Sequence, residues 1–326
     1  MMTFTYFAVL FLLASLPCLV VSREQDDIFM KKAKARKAKV TKANSSSSLK
    51  EKANSGKETK ARKKNISSPS FVLSQVPSAS PSEFPSMVPS TPKVPSANPS
   101  LSDPTIRAAL DEIFESTNGR NWTSINNWDE RATIINVCDL DGVSCDSAGE
   151  ITQLHLFSRG LDGPIPTEIG YLTSLIDLNL SSNELSGPIP TEIGILNSLK
   201  NFTISFNDMT GTIPSDIGDL TSLEYLNFAS NDLTGRIQAM GSLASLEYLN
   251  FGGNRLYGSL PVVISRLPRT IEYLHIGSNK LTGPIPSDIG DLTSLEYLNF
   301  GGNRLYGSLP FVISGLPRSI EYLHIG

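Results

Sequence analysis

The chain has 326 residues and a formal net charge of -4 at pH 7, with 40% hydrophobic and 8% aromatic residues. That length has room for two ordinary domains, but the composition excludes an even spread. Residues 31–64 hold twelve Lys and two Arg against Glu51 and Glu58, about +12, whereas residues 104–326 hold twelve Lys/Arg against twenty-five Asp/Glu, about -13. A basic arm joined to an acidic body draws opposite classes of partner at its two ends.

The first segment, residues 1–22, reads MMTFTYFAVLFLLASLPCLVVS and carries no charge before Arg23. An apolar core from Tyr6 to Leu16 with small residues near Val20 and Ser22 predicts a cleaved signal peptide and a secreted or cell-surface protein. The second reading is an uncleaved anchor, because the uncharged run is long enough to span a bilayer. No other stretch of the sequence is a membrane-span candidate. Residues 23–70 are rich in Lys and Ser and poor in apolar side chains, which predicts disorder. Residues 71–103 form a Pro/Ser-rich linker with Pro77, Pro81, Pro85 and Pro89 at four-residue spacing. Proline fixes φ, so this segment is expected to be a semi-rigid extended stalk.

A helix is expected to begin where Asp103 can cap and Pro104 suits the first helical position. Ile106, Leu110, Ile113 and Phe114 share one face of it, and Gly119 is placed to end it. With Cys18 removed alongside the signal, Cys138 and Cys145 remain as an even pair in a short loop.

From Ile151 the text repeats with a period of about 24 residues. Successive lines include LHLFSRGLDGPIPTEIGYLTSL, LNLSSNELSGPIPTEIGILNSL and LNFGGNRLYGSLPVVISRLPRTI. The pattern L-x-x-L-x-L-x-x-N-x-L is the leucine-rich repeat signature and predicts a solenoid. Residues 247–277 and 296–326 differ only at Val262/Phe311, Arg266/Gly315 and Thr270/Ser319, so a block of two turns reads as duplicated. A solenoid tolerates such duplication because each turn contacts only its neighbours. Within L-x-L the leucines point inward and the residue between them points outward. The column Asn183, Asn207, Asn231, Asn254, Asn279 and Asn303 is expected to satisfy backbone groups where the chain leaves the strand.

The G-x-I-P element at Gly163, Gly187, Gly211 and Gly283 resembles the plant-type leucine-rich repeat subfamily of receptor-like kinases and receptor-like proteins. Residues 104–150, with Trp122, Trp128 and the ending C-x-x-x-G-V-x-C, resemble that family's N-terminal cap. The resemblance implies a right-handed horseshoe solenoid over residues 151–326, about seven full turns and a truncated eighth, with a parallel β-sheet on its concave face. It also implies a disulfide between Cys138 and Cys145 and a second short extended segment at each G-x-I-P. The sequence departs from the pattern in three places: Arg159 stands at the first asparagine position, the fourth turn (GRIQAM) lacks the proline, and the text stops at Gly326 within a strand. The last departure predicts an apolar face that a cap or a partner covers.

The concave face is read in columns. Tyr225, Tyr248, Tyr273, Tyr297 and Tyr322 precede the L-x-L, Glu247 and Glu296 stand one step earlier, and Asn227, Asn250, His275, Asn299 and His324 lie inside it. All are expected to face solvent as a ligand-binding strip, since rigid aromatics with adaptable amides suit a peptide or sugar. The competing reading is a solvated face copied by duplication. A metal on the histidine column is rejected, because His275 and His324 stand two rungs apart, about 10 Å. No nucleophile elbow, phosphate loop or ligand cluster appears, so neither an enzyme, a cofactor nor nucleic-acid binding is expected. Glycosylation sequons stand at Asn44, Asn65, Asn121, Asn179 and Asn201. Together these features predict a non-catalytic extracellular recognition module for a peptide, protein or polysaccharide. The alternatives are a structural wall or mineral protein held by polyanion contacts of residues 31–64, and a fragment of a longer receptor-like kinase or receptor-like protein.

Overall fold

A computed structural model describes residues 104–326 apart from 124–126, 132, 135, 238–239 and 308–315. The signal, arm and linker expected over residues 1–103, with the sequons at Asn44 and Asn65, lie outside the described residues.

Each repeat supplies one short strand whose central leucine or phenylalanine points inward. Leu154, Leu178, Phe202, Leu226, Leu249 and Leu274 are all fully buried. These strands stack in parallel register with no crossover. Tyr225–Asn227, Tyr248–Asn250, Tyr273–His275 and Tyr297–Asn299 pair residue for residue. With the strands before and after them they form a nine-stranded sheet among the described residues. At the other side of most turns the chain makes a short 3-10 helix, such as Thr167–Tyr171 or Ser215–Asp219. The leucines before and after it fill one continuous core.

The asparagine column does what its position predicts. Asn207 accepts the Leu185 N–H on Oδ1 at 2.9 Å and donates from Nδ2 to the carbonyls of Leu180 and Ile204 at 3.0 Å. Asn231, Asn254 and Asn279 repeat this bridge between neighbouring turns. Buried backbone groups must find partners, and one amide per turn satisfies three of them. The residue before each asparagine takes the left-handed conformation, with Ser182 at φ 57°, Phe206 at 58° and Ser230 at 55°. In the duplicated turns that place is held by Gly253 and Gly302, which adopt it without a side-chain penalty.

The G-x-I-P segments form the second extended element that the resemblance implies, but in two pieces. One three-stranded sheet joins Asp162–Pro164, Glu184–Pro188 and Asp208–Thr210, and another joins Tyr257–Ser259, Lys280–Gly283 and Arg304–Leu305. Between them the strand pairing is reduced to an isolated bridge, Thr212 to Thr234, with single backbone hydrogen bonds such as Thr234 N–H to the Gly211 carbonyl at 2.7 Å. The gap falls at the fourth turn, where GRIQAM replaces the proline-bearing element and the turn is a residue short.

The N-terminal end is closed by the helix Pro104–Ser116 and the strand Val143–Cys145, which pairs antiparallel with Ile151–His155. Phe114, Trp122 and Trp128 form one aromatic cluster with centroids 5.1–6.1 Å apart, and the Arg131 guanidinium lies 3.8 Å from the Phe114 centroid. Cys138 and Cys145 are disulfide-bonded. Gly119 does not end the helix: Asn118 takes the left-handed turn at φ 57°, and Gly119 instead packs where any Cβ would overlap the Phe114 ring. Arg159, at the first asparagine position, ties its turn to the cap through an ion pair with Asp141 at 2.6 Å.

Candidate ligand-binding face

The parallel register of the long sheet lines up its outward side chains in columns. Strand spacing of about 4.8 Å sets rings on neighbouring turns within offset-stacking distance. Tyr225, Tyr248, Tyr273, Tyr297 and Tyr322 therefore lie nearly flat on one another, with centroids 4.1–4.3 Å apart and planes within 5–18°. This corrects the expected solvent-facing strip. Tyr248 and Tyr273 are only 1% and 2% exposed, and exposure reaches 41% at Tyr322. An interior ring is covered on both faces by its neighbours, so the pattern that fixes its direction does not fix its accessibility.

The inner column is likewise less open than expected. Asn227 and Asn250 are buried, and each holds the backbone N–H two residues on, at Ala229 and Gly252. Their Nδ2 groups donate to the phenol oxygens of Tyr225 and Tyr248 at 3.3 and 3.4 Å. His275 and Asn299 are half-buried, whereas His324 is exposed. His275 takes the amide role, accepting the Gly277 N–H on Nδ1 at 3.2 Å, while its Nε2 lies 3.2 Å from Asn299 Nδ2. Burial, and secondarily the nearby His324, pushes its pKa down to about 4. The Tyr297 phenol is pushed up to about 12 by burial and by neighbouring Tyr322. Glu247 and Glu296 are half-buried beside the ladder.

The early rungs continue the same columns with polar residues in place of tyrosine. Asp177 accepts Asn201 Nδ2 at 3.1 Å on one oxygen, and its other oxygen lies 3.1 Å from His155 Nε2. Its signal lay in the strand register, which sets Gln153, Asp177 and Asn201 side by side. Two sequons, Asn179 and Asn201, fall on this surface, whereas Asn121 is exposed on the cap. Among the described residues no group of three or more His, Cys, Asp or Glu could hold a metal ion.

The Leucine Rich Repeat family model matches residues 174–196, 245–267, 270–292 and 294–316. The chain carries leucine-rich repeats, and its solenoid is similar to those of plant receptor ectodomains. It is similar to the receptor protein kinase WSS1 of Oryza sativa subsp. japonica, 47% identical over 45 residues, which are 13% of this chain and 5% of that relative. Among solved structures it resembles PEPR1 with AtPEP1, at TM-score 0.60 and 27% identity over 68% of this chain and 31% of that one. It also resembles the Arabidopsis receptor kinase HAESA in complex with the peptide hormone IDA and the co-receptor SERK1, at TM-score 0.58 and 25% identity over 68% of this chain and 41% of that one. Pollen Receptor Kinase 3 matches at TM-score 0.52 and 28% identity, over 62% of this chain and 96% of that chain. The chain thus spans under half the length of WSS1, PEPR1 and HAESA. No described helix is long and apolar enough to cross a membrane.

Proposed function

We propose that the chain is a non-catalytic extracellular or cell-surface recognition module that binds an extended peptide along the outer face of its long sheet. The observation that carries this reading is the column geometry. A rigid parallel sheet presents accessible polar rungs at Asp177 and Asn201 and an aromatic-imidazole edge at Tyr297, Tyr322 and His324. Pre-ordered side chains of this kind bind with little further loss of freedom. Likeness to PEPR1 with AtPEP1 and to HAESA with IDA supports a peptide as the ligand class. The buried tyrosines then act as the floor that holds this surface rigid, and the accessible residues make the contacts.

Panning the full chain against a displayed library of extended peptides tests the reading. Enriched peptides, measured by calorimetry, should bind Asp177→Ala or the pair Tyr322→Ala/His324→Ala about tenfold more weakly, the loss of one good contact of ~1.4 kcal/mol. Peptides that bind both variants as tightly as the parent would place recognition on another face.

A further inference from the structure

The residue directly after each ladder asparagine faces outward on the flank of the solenoid. Along the turns this column reads Glu184, Asp208, Asp232, Arg255, Lys280, Arg304, so its charge changes sign once, between the fourth and fifth turns. Arg255 and Asp232 meet at the change with a 2.7 Å ion pair. Beyond it Lys280 and Arg304 are exposed, and among the described residues neither has an acidic partner. Arg236, also exposed, runs its stem beside Gly258, whose added Cβ would stand 3.4 Å from Arg236 Cγ. Four of the twelve cations in residues 104–326 therefore gather on this flank, counting Arg236, Arg255, Lys280 and Arg304.

The same flank carries two exposed tyrosines, Tyr257 at 50% and Tyr306 at 68%. Unlike the ladder tyrosines, they have no ring stacked on them among the described residues. Tyr257 pairs in register with Lys280, and Tyr306 directly follows the strand Arg304–Leu305. The register shifts by two residues per turn on this flank, with Lys280 beside Tyr257 and Arg304 beside Thr282, so the cations and rings run obliquely across the turns. The duplication copied R-L-Y-G-S at 255–259 and 304–308, so cation and ring recur together.

We propose that this flank binds an acidic polysaccharide of the polyuronate class. Its carboxylates sit on Lys280, Arg304 and Arg236, and its sugar rings lie against Tyr257 and Tyr306. A polyuronate carries one carboxylate on every ring, so a chain laid obliquely across the turns brings carboxylates onto the cation that each turn supplies. The apolar face of each pyranose suits an exposed flat aromatic. An extended acidic peptide fits less well, because its successive side chains alternate between two faces and only every second carboxylate would meet the column. The acidic half of the column, from Glu184 to Asp232, confines the polymer to the later turns by repulsion. This site is on a different face from the proposed peptide surface and stands or falls independently of it.

The test is acylation footprinting of the full chain with an N-hydroxysuccinimide ester, read at Lys280 by mass spectrometry. Reading one lysine separates this flank from the lysines of residues 31–64. Polygalacturonate should slow Lys280 acylation several-fold, and neutral glucan and polyglutamate should not. In the Arg304→Glu variant, whose exposed position leaves folding intact by circular dichroism, protection should need about tenfold more polygalacturonate. Tyr306→Ala should weaken protection and Tyr306→Phe should restore it. Lys280 acylation unchanged by polygalacturonate would overturn the proposal. Equal protection by polyglutamate would overturn the sugar assignment, and protection by neutral glucan the role of charge.

Discussion

Gly252 lies directly beneath the imidazole of His275 in the next turn, where any Cβ would overlap the ring. Gly301 stands in the same relation to His324. One pair of turns earlier, the equivalent places hold Ala229 and Asn250, a side chain short enough to coexist with a methyl group. These turns thus carry Gly under His at two places, Ala under Asn at Ala229/Asn250, and Gly under Asn at Gly277/Asn299. Gly252→Ala alone should destabilise the fold by about 1–3 kcal/mol through overpacking. Gly252→Ala with His275→Asn should recover most of that loss, because it recreates the Ala229/Asn250 pair. A double-mutant cycle by urea unfolding measures the coupling, and additive losses would show that the contact is relaxed away.

His275 also sets a pH response. Its folded pKa of about 4 lies below the ordinary 6.5, so between those values the unfolded chain binds more protons than the folded one. The folded state therefore keeps its full stability above pH ~6.5 and loses it progressively as pH falls toward ~4, by about 3 kcal/mol at most. Below that the curve flattens for this group. His275→Asn keeps an acceptor for the Gly277 N–H and should remove this part of the slope. Unfolding midpoints at pH 7.5, 5.5 and 4.5 for parent and variant give the comparison, and parallel curves would contradict it.

The tyrosine ladder predicts a stability phenotype. Tyr248→Ala or Tyr273→Ala removes a ring packed between two others and should cost about 3–5 kcal/mol, the range for large aromatic truncations in a core. Tyr322→Ala, at the exposed end of the ladder, should cost far less. Thermal unfolding of the three variants separates them, and equal small losses would return the ladder to the status of a solvated strip.

Asn231 is the joint of two turns. Its Oδ1 accepts the Met209 N–H at 3.0 Å, and its Nδ2 donates to the carbonyls of Ile204 and Phe228 at 3.0 and 3.2 Å. Asn231→Ala strands the Met209 N–H, while the Ile204 and Phe228 carbonyls keep the Nδ2 donors of Asn207 and Asn254, so the cost should be about 1–3 kcal/mol. Asn231→Asp keeps an acceptor for the Met209 N–H but sets a carboxylate against the two carbonyls in place of a donor, and should also destabilise. Hydrogen exchange at Met209 should rise in Asn231→Ala if the bridge is as described.

The solenoid, its asparagine column and the cap's cysteine pair were legible in the text, because each depends on a spacing that only one backbone path satisfies. Leu178, Asn207 and Gly187 announce their places by period alone. Accessibility was not legible. Strand alternation sends Tyr248 and Leu249 to opposite faces, yet both are buried, since the ring is covered by rings from turns 23 and 25 residues away in the sequence. The break between the two flanking sheets was foreshadowed by the missing proline at the fourth turn. The columns that hold His155, Asp177 and Asn201 were legible from the period, whereas the contacts between these side chains needed the register of three strands.

The central claim is that ligand recognition takes place on the outer face of the long sheet. Hydroxyl-radical footprinting of the full chain, with and without a peptide enriched by display, tests it most directly. Tyr171 and Ile195, 51% and 52% exposed on the 3-10 side, serve as internal references. The account predicts that oxidation of Tyr297, Tyr322 and His324 falls on peptide addition while Tyr171 and Ile195 are unchanged. Protection at Tyr171 and Ile195 with Tyr322 and His324 still fully reactive would contradict it.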